Sequence, residues 1–337
     1  MMNKRLKQGS TFLLAVALTF PLLTLPGAKA ASAINTGQKC SIEFDISGNS
    51  SELLSASIPV NLYKVASVDE SGNYTGIGAF SKLDLSSVSA DNLDAAAATW
   101  AERAAEAKKL LKDDTEPTTT TLTQGRGTAT GLDTGLYLVD TPKVITPNYT
   151  YTFTPYLVSL PTNNYYSGNG ASDDWIYDLT KEHNSAVGLK PEQHVRYGNL
   201  VINKELVDHN ATFGNNATFV FQIDITTLDN KKETRIEELT FDAAGSDSVT
   251  IEKIPAGSTV TVTEVYSGAS YKLTSENNVT ATIVANDEKE AGQAGETAVV
   301  SFTNEHDGRT NGGYGVKNNF KLDENGQYQY TEPAAKN

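Results

Sequence analysis

The chain has 337 residues, with 27 Lys and Arg against 41 Asp and Glu, a net charge of −14 and one cysteine. So acidic a surface is a poor match for a phosphate backbone, and nucleic acid is excluded as an expected partner. A lone cysteine excludes an intramolecular disulfide framework. Four histidines in turn-like polar contexts, His183, His194, His209 and His306, show no paired ligand spacing, so neither a metal nor a cofactor is expected.

Residues 1–30 read as an export signal removed from the mature protein. Lys4, Arg5 and Lys7 precede an apolar run over 11–26 that is short for a membrane span, and Ala28-Lys29-Ala30 has the small-x-small cleavage pattern. Without this segment 23 basic residues face 41 acidic ones, a charge of −18 that keeps an exported chain soluble. About 300 mature residues suggest two domains.

The first domain, 37–197, opens with a strand over 41–46, followed by strands over 58–65, 135–140, 149–160 and 175–179, separated by turns such as Asp69-Glu70-Ser71-Gly72-Asn73. Cys40 falls in phase with Ile42, Phe44 and Ile46, which favours an inert buried thiol. Short strands with Gly, Asn, Ser and Asp turns predict a β-sandwich. One stretch departs from this pattern. Residues 90–112 carry Leu93, Ala97, Trp100, Ala104, Ala107 and Leu111 at helical spacing, which predicts a helix packed across one sheet. The threonine run 118–121 reads as an exposed loop. Asp173 and Asp174 beside Trp175 suggest a glycosidase carboxylate at first sight, but adjacent strand residues face opposite ways, and the pair reads as a loop before a strand.

The second domain, 198–306, has strands over 200–206, 218–225, 248–252, 259–266, 271–274, 279–284 and 298–304. Seven or so strands in about 105 residues suit one Ig-like sandwich, making the whole chain all-β apart from the inserted helix. Side chains alternate between faces, so Leu200, Ile202, Lys204 and Leu206 share one face. Likewise Glu264 continues the phase of Val260 and Val262, and Asn304 that of Ala298, Val300 and Phe302. An amine, a carboxyl and a carboxamide thus each extend an apolar face, where isolated charge is costly. Two structural explanations stay open, a buried Lys-Glu ion pair with a nearby Asn, or strand ends that slip phase and release all three to solvent. The third is chemical. Burial favours the neutral amine, which makes Lys204 a nucleophile toward the side-chain carbonyl of Asn304, with Glu264 donating a hydrogen bond to the carbonyl oxygen and shuttling protons as ammonia leaves.

The order of these motifs resembles the collagen-adhesin B-type domain of Gram-positive pilins and surface adhesins. The matching segments are 200–206 with its lysine, Ile254-Pro255-Ala256-Gly257 leading to Glu264, and 300–304 ending in Phe-Thr-Asn. The resemblance implies a self-generated isopeptide bond between Lys204 and Asn304, with Glu264 catalytic for its formation. Segments Val-Asn-Leu-Tyr-Lys-Val at 60–65, Gly-Leu-Tyr-Leu-Val at 135–139 and Thr-Pro-Tyr-Leu-Val-Ser-Leu-Pro at 154–161 are similar to the amino-terminal domain of the same pilins. There Phe44 stands in the lysine position and Asp140-Thr141 in the glutamate position, so no such bond is expected in the first half. Some surface adhesins pair Cys with Gln in a thioester, the alternative reading of Cys40. Related pilins carry near the domain junction a lysine that a sortase joins to the next subunit; Lys190 is the candidate, although here lysine precedes proline rather than following it.

Beyond Asn304, residues 307–313 read as a flexible link. Residues 314–330 read as a hairpin around Asp323-Glu324-Asn325-Gly326 that covers a sandwich edge or adds to another subunit. No Leu-Pro-x-Thr-Gly signal precedes Asn337, so either the sequence is incomplete or wall sorting in the usual way is not expected. Taken together, the resemblance implies a secreted cell-surface subunit or stalk of a pilus, not a turnover enzyme, whose partners are other pilus or surface subunits and a sortase. The alternatives are an adhesin whose first domain binds a host matrix protein or glycan and, least favoured, a secreted hydrolase.

Overall fold

Alternation of apolar and polar residues along Cys40-Ser-Ile-Glu-Phe-Asp45 buries every second side chain and makes this segment the first strand, β1 (Cys40–Asp45). The computed structural model describes residues 32–90, 97–163, 175–180, 186–210, 216–287, 296–309, 319–322 and 327–331. The export signal, Leu93, Asp173, Asp174, His183 and the tip of the C-terminal hairpin lie outside the described residues. By their packing, residues up to 194, apart from 147–149, form one unit, and 147–149 with the residues from Val195 onward form a second.

In the first unit a one-turn helix α1 (Ser51–Leu54), capped by the Ser50 hydroxyl, leads into β2 (Ile58–Val68) and β3 (Tyr74–Gly76). Helix α2 (Ala97–Leu110) follows, then β4 (Thr118–Leu122), β5 (Arg126–Leu132), β6 (Gly135–Asp140), β7 (Val144–Ile145), β8 (Tyr149–Phe153) and β9 (Tyr156–Leu160). Short strands β10 (Thr162–Asn163), β11 (Trp175–Ile176), β12 (Asp178–Leu179) and β13 (Pro191–Val195) complete it. The main sheet runs β3-β2-β6-β9, and a second runs β12-β1-β5. Strand β6 is buried at all six positions because α2 covers one face of its sheet. Ala104 and Ala107 of the helix pack with Leu136 and Leu138, and Trp100 and Leu111 border the same cluster, as the helical stripe predicts, whereas Ala97 at the start of the helix is exposed.

The threonine run 118–121 is not a loop, contrary to the sequence reading. It forms β4, antiparallel to the start of β2 from Ile58↔Leu122 to Leu62↔Thr118. Threonine is β-branched and suits a half-exposed pleated strand, so the polarity of the run reflects its exposure, not an irregular backbone. The turn into β5 has two central residues in the left-handed region, Gln124 at φ 51° and Gly125 at φ 78°, the conformation that a two-residue hairpin requires.

The second unit contains β14 (Tyr197–Leu206), β15 (Ala217–Thr226), β16 (Lys232–Phe241), β17 (Gly245–Pro255), β18 (Thr259–Tyr266), β19 (Tyr271–Leu273), β20 (Val279–Thr282) and β21 (Ala298–His306). Two four-stranded sheets, β17-β14-β21-β19 and β16-β15-β18-β20, enclose one core in which Leu200, Ile202, Phe219, Phe221, Val262 and Phe302 are fully or almost fully buried. This is a β-sandwich in which alternate residues of facing sheets interdigitate. Strand β16 escapes the sequence reading because its Lys-Glu-Thr-Arg-Ile-Glu-Glu segment, half-buried to exposed along a sheet edge, is rich in charge and shows no apolar alternation. First and last strands of the sandwich are parallel neighbours, with Leu200↔Ala298 through Leu206↔Asn304 in register. Further on, β22 (Asn319–Leu322) and β23 (Tyr328–Thr331) pair antiparallel.

A buried Lys-Glu-Asn cluster as candidate functional site

Three strands bring one polar side chain each into the core of the second unit. On β14 the inward positions are Gly198, Leu200, Ile202, Lys204 and Leu206, so lysine follows two aliphatic residues into the same apolar layer. On β18 Glu264 follows Val260 and Val262, and on β21 Asn304 follows Val300 and Phe302. Residue exposures are 1% for Lys204, 4% for Glu264 and 0% for Asn304. Phase slip to solvent, one explanation open from sequence, does not occur.

Parallel pairing sets Lys204 opposite Phe302 and Leu206 opposite Asn304, so the lysine and the asparagine are diagonal neighbours on one face. Lys204 Nζ donates to Oδ1 of Asn304 and, at 2.9 Å, to Oε2 of Glu264. The second carboxylate oxygen, Oε1, accepts from Asn304 Nδ2 at 2.6 Å. Glu264 therefore bridges the amine and the nitrogen of the carboxamide. The sequence reading has Glu264 donating to the carbonyl oxygen instead; in the structure the lysine occupies that oxygen.

Aromatic rings close the site. Lys204 Nζ stands 4.4 Å from the centroid of Phe219, and the Phe221 and Phe302 rings lie 5.2 Å apart. Burial lowers the Lys204 pKa below its ordinary value, and the hydrogen bond and charge of Glu264 oppose that shift only in part. Desolvation outweighing the ion pair is the condition under which a lysine holds a lone pair for nucleophilic attack.

Other sequence-predicted positions stand apart from this cluster. Lys190 is exposed in the first unit, its Nζ 5.5 Å from the Tyr156 ring centroid. Cys40 is 1% exposed, and burial pushes its thiol up to about 12. His194 Nε2 lies 3.1 Å from Thr152 Oγ1, while His306 donates its backbone N–H to Asp208 at 2.7 Å. Among the described residues no group of three or more His, Cys, Asp or Glu could hold a metal ion. Sequence reasoning missed Asn277, whose side chain pairs with both backbone groups of Glu264, from its N–H at 2.8 Å and to its C=O at 3.3 Å. Its only signal is a polar Ser-Glu-Asn-Asn run between two short strands.

Comparison with known proteins locates the cluster inside a recognised sequence module. Residues 200–307 match a family model described as a domain of unknown function, DUF5979. No curated protein matches the chain. Among solved structures, the major pilin T3.2 of Streptococcus pyogenes is 10% identical over 83% of this chain and 99% of its own, with a TM-score of 0.26. The minor pilin GBS52 of Streptococcus agalactiae is 14% identical over 74% and 82%, with a TM-score of 0.23. The major pilin SpaD of Corynebacterium diphtheriae is 13% identical over 81% and 99%, with a TM-score of 0.25.

Proposed function

We propose that the second unit closes an isopeptide bond between Lys204 and Asn304, and that the chain is a covalently stiffened subunit or stalk of a pilus on a Gram-positive cell surface. One observation carries this reading. A buried amine and carboxamide on adjacent first and last strands are joined with a carboxylate from the other sheet in a closed ring of hydrogen bonds. The proposed reaction starts with transfer of a proton from Nζ to Oε2 of Glu264. The free lone pair attacks Cγ of Asn304, forming the new C–N bond and a tetrahedral centre. The carboxyl group then delivers its proton through Oε1 to Nδ2, the Cγ–Nδ2 bond breaks and ammonia leaves, and the regenerated carboxylate takes the second proton from the former Nζ, so Glu264 ends protonated beside a neutral amide. One primary amine and one carboxamide become a secondary amide plus ammonia, with no oxidant or cofactor needed.

Intact mass of the mature recombinant protein tests the reading directly. The parent is expected to be lighter than its sequence by one ammonia, and Lys204→Ala, Glu264→Ala and Asn304→Ala to have their full masses. A parent of full mass sinks the proposal and leaves a buried polar cluster. Exposed Lys190 is the amine to examine for linkage to a neighbouring subunit, by replacing it with Ala and looking for loss of detergent-resistant multimers on the native cell surface.

A further inference from the structure

We propose that the segment 274–278 is a positioning strap for bond formation, with Asn277 aligning Glu264 and Ser275 aligning Asn304; this rests on the isopeptide reading above. The segment crosses between the two sheets, leaving β19 beside β21 and entering β20 beside β18. Both ladders stop where the polar cluster begins. On β18 the pairing with β20 ends at Val262↔Val279, two residues before Glu264. From there the Asn277 carboxamide takes the place of a strand, its Oδ1 accepting from Glu264 N and its Nδ2 donating to Glu264 O. Its neighbour Asn278, held at φ 61°, accepts from Thr263 Oγ1 at 2.6 Å and anchors the same stretch.

The opposite edge of β18 also changes at this point. Phe221 pairs with Glu264 and Val220 with Tyr266, so Val265 is an extra, bulged residue, 41% exposed. A bulge re-aims neighbouring side chains and weakens the ladder that holds them. Glu264 therefore sits where the β15 register shifts and the β20 ladder is absent, and Asn277 supplies side-chain hydrogen bonds to its peptide groups. On β21 the pairing with β19 ends at Leu273↔Asn304. Next to that asparagine, Thr303 O accepts from Thr274 N at 2.8 Å and from Thr274 Oγ1 at 3.0 Å, and Thr303 N donates to Ser275 Oγ at 3.1 Å. Four of these five consecutive residues thus hold the chain at, or next to, two of the three reacting side chains. Asn277 itself is exposed, so its removal leaves the core intact.

Timed cell-free translation of the whole chain, quenched into acidic denaturant and read by intact mass, measures the rate of ammonia loss. Protease resistance of parallel samples gives the folded fraction. Misplacing reacting groups by about 1 Å costs on the order of a hundredfold in rate, so Asn277→Ala is expected to slow ammonia loss per folded molecule at least tenfold. Ser275→Ala should slow it in the same direction. In the bond-free Lys204→Ala background both substitutions should leave the melting temperature nearly unchanged, which separates alignment from a general loss of structure. Asn277→Ala reacting at the parental rate per folded molecule overturns the strap. A parent that never loses ammonia refutes the isopeptide reading itself.

Discussion

Replacing Glu264 by Gln keeps the size of the side chain and removes the proton carrier, so the second unit should fold without the proposed cross-link. The mechanical consequence follows from geometry. Pulled from its ends, the uncross-linked sandwich from β14 to β21 is about 110 residues of chain, or ~370 Å at about 3.4 Å per residue. Subtracting the ~30 Å that one ten-residue strand already spans leaves a release of ~340 Å on unfolding. With the proposed bond in place, load enters β14, crosses from Lys204 to Asn304 and leaves two residues later at the end of β21, so the intervening strands carry no tension. The path is about ten residues that are already extended, and its release is close to zero. Single-molecule stretching of the full chain tests this, because the first unit gives its own step in both proteins. The Glu264→Gln protein should show one additional step of ~340 Å. A parent that has lost ammonia yet shows the same additional step would refute the assigned load path.

The same cross-link encloses 100 residues, for which chain entropy gives about 4.7 kcal/mol. With an unfolding entropy of ~0.23 kcal/mol/K for about 110 residues, Glu264→Gln should melt about 20 °C below the parent by calorimetry. In unbonded Asn304→Ala the buried amine has a depressed pKa, so the unfolded state binds more protons between that value and the ordinary 10.5. Stability of this variant, measured by urea titration relative to the parent, should therefore rise with pH through that window, at up to about 1.4 kcal/mol per pH unit. No such rise is expected of Lys204 in the parent, where the proposed bond consumes the amine. Native Cys40 should resist iodoacetamide at pH 8 and react at once in guanidinium, because its thiol is buried and poorly ionised; rapid native alkylation contradicts this. A Cβ at Gly198 would lie 1.9 Å from the backbone oxygen of Val284. Gly198→Ala in the Glu264→Gln background should cost about 1–3 kcal/mol by the same titration.

Much of the second unit is legible because its strands are buried on one face. Phe219, Phe221, Ile223 and Ile225 declare β15, and the same two-residue period exposes Lys204, Glu264 and Asn304 as polar residues in apolar phase. Where strands lie on an edge the period fades. Strand β16 carries charges along its length and β4 is a threonine run, so neither announces itself, although both have long ladders. The direction of Glu264 toward Nδ2 of Asn304 was not legible either. Glu264 stands beside a bulge at Val265 and is bonded to Asn277, a residue 13 positions away in sequence, and periodicity says nothing about either.

Why a core should hold these three residues can be argued from the energetics of buried charge. An ion pair removed from water recovers at best a comparable part of its desolvation, and apolar residues of similar volume often stabilise as well or better. As a static pair, Lys204 and Glu264 therefore contribute little to stability for two fully enclosed side chains. The proposed reaction changes the balance. The amide has no charge, the ammonia departs, and the proton remaining on Glu264 leaves the core neutral. Burial then serves the chemistry twice: it favours the amine's reactive form before the bond exists, and it shields the amide from water afterwards. The Phe219 ring at 4.4 Å and the Phe221–Phe302 pair supply that dry wall, and they do so at the junction of first and last strands. A single covalent link placed there bypasses the whole sandwich under tension, whereas the same link between neighbouring interior strands would protect only the loop between them.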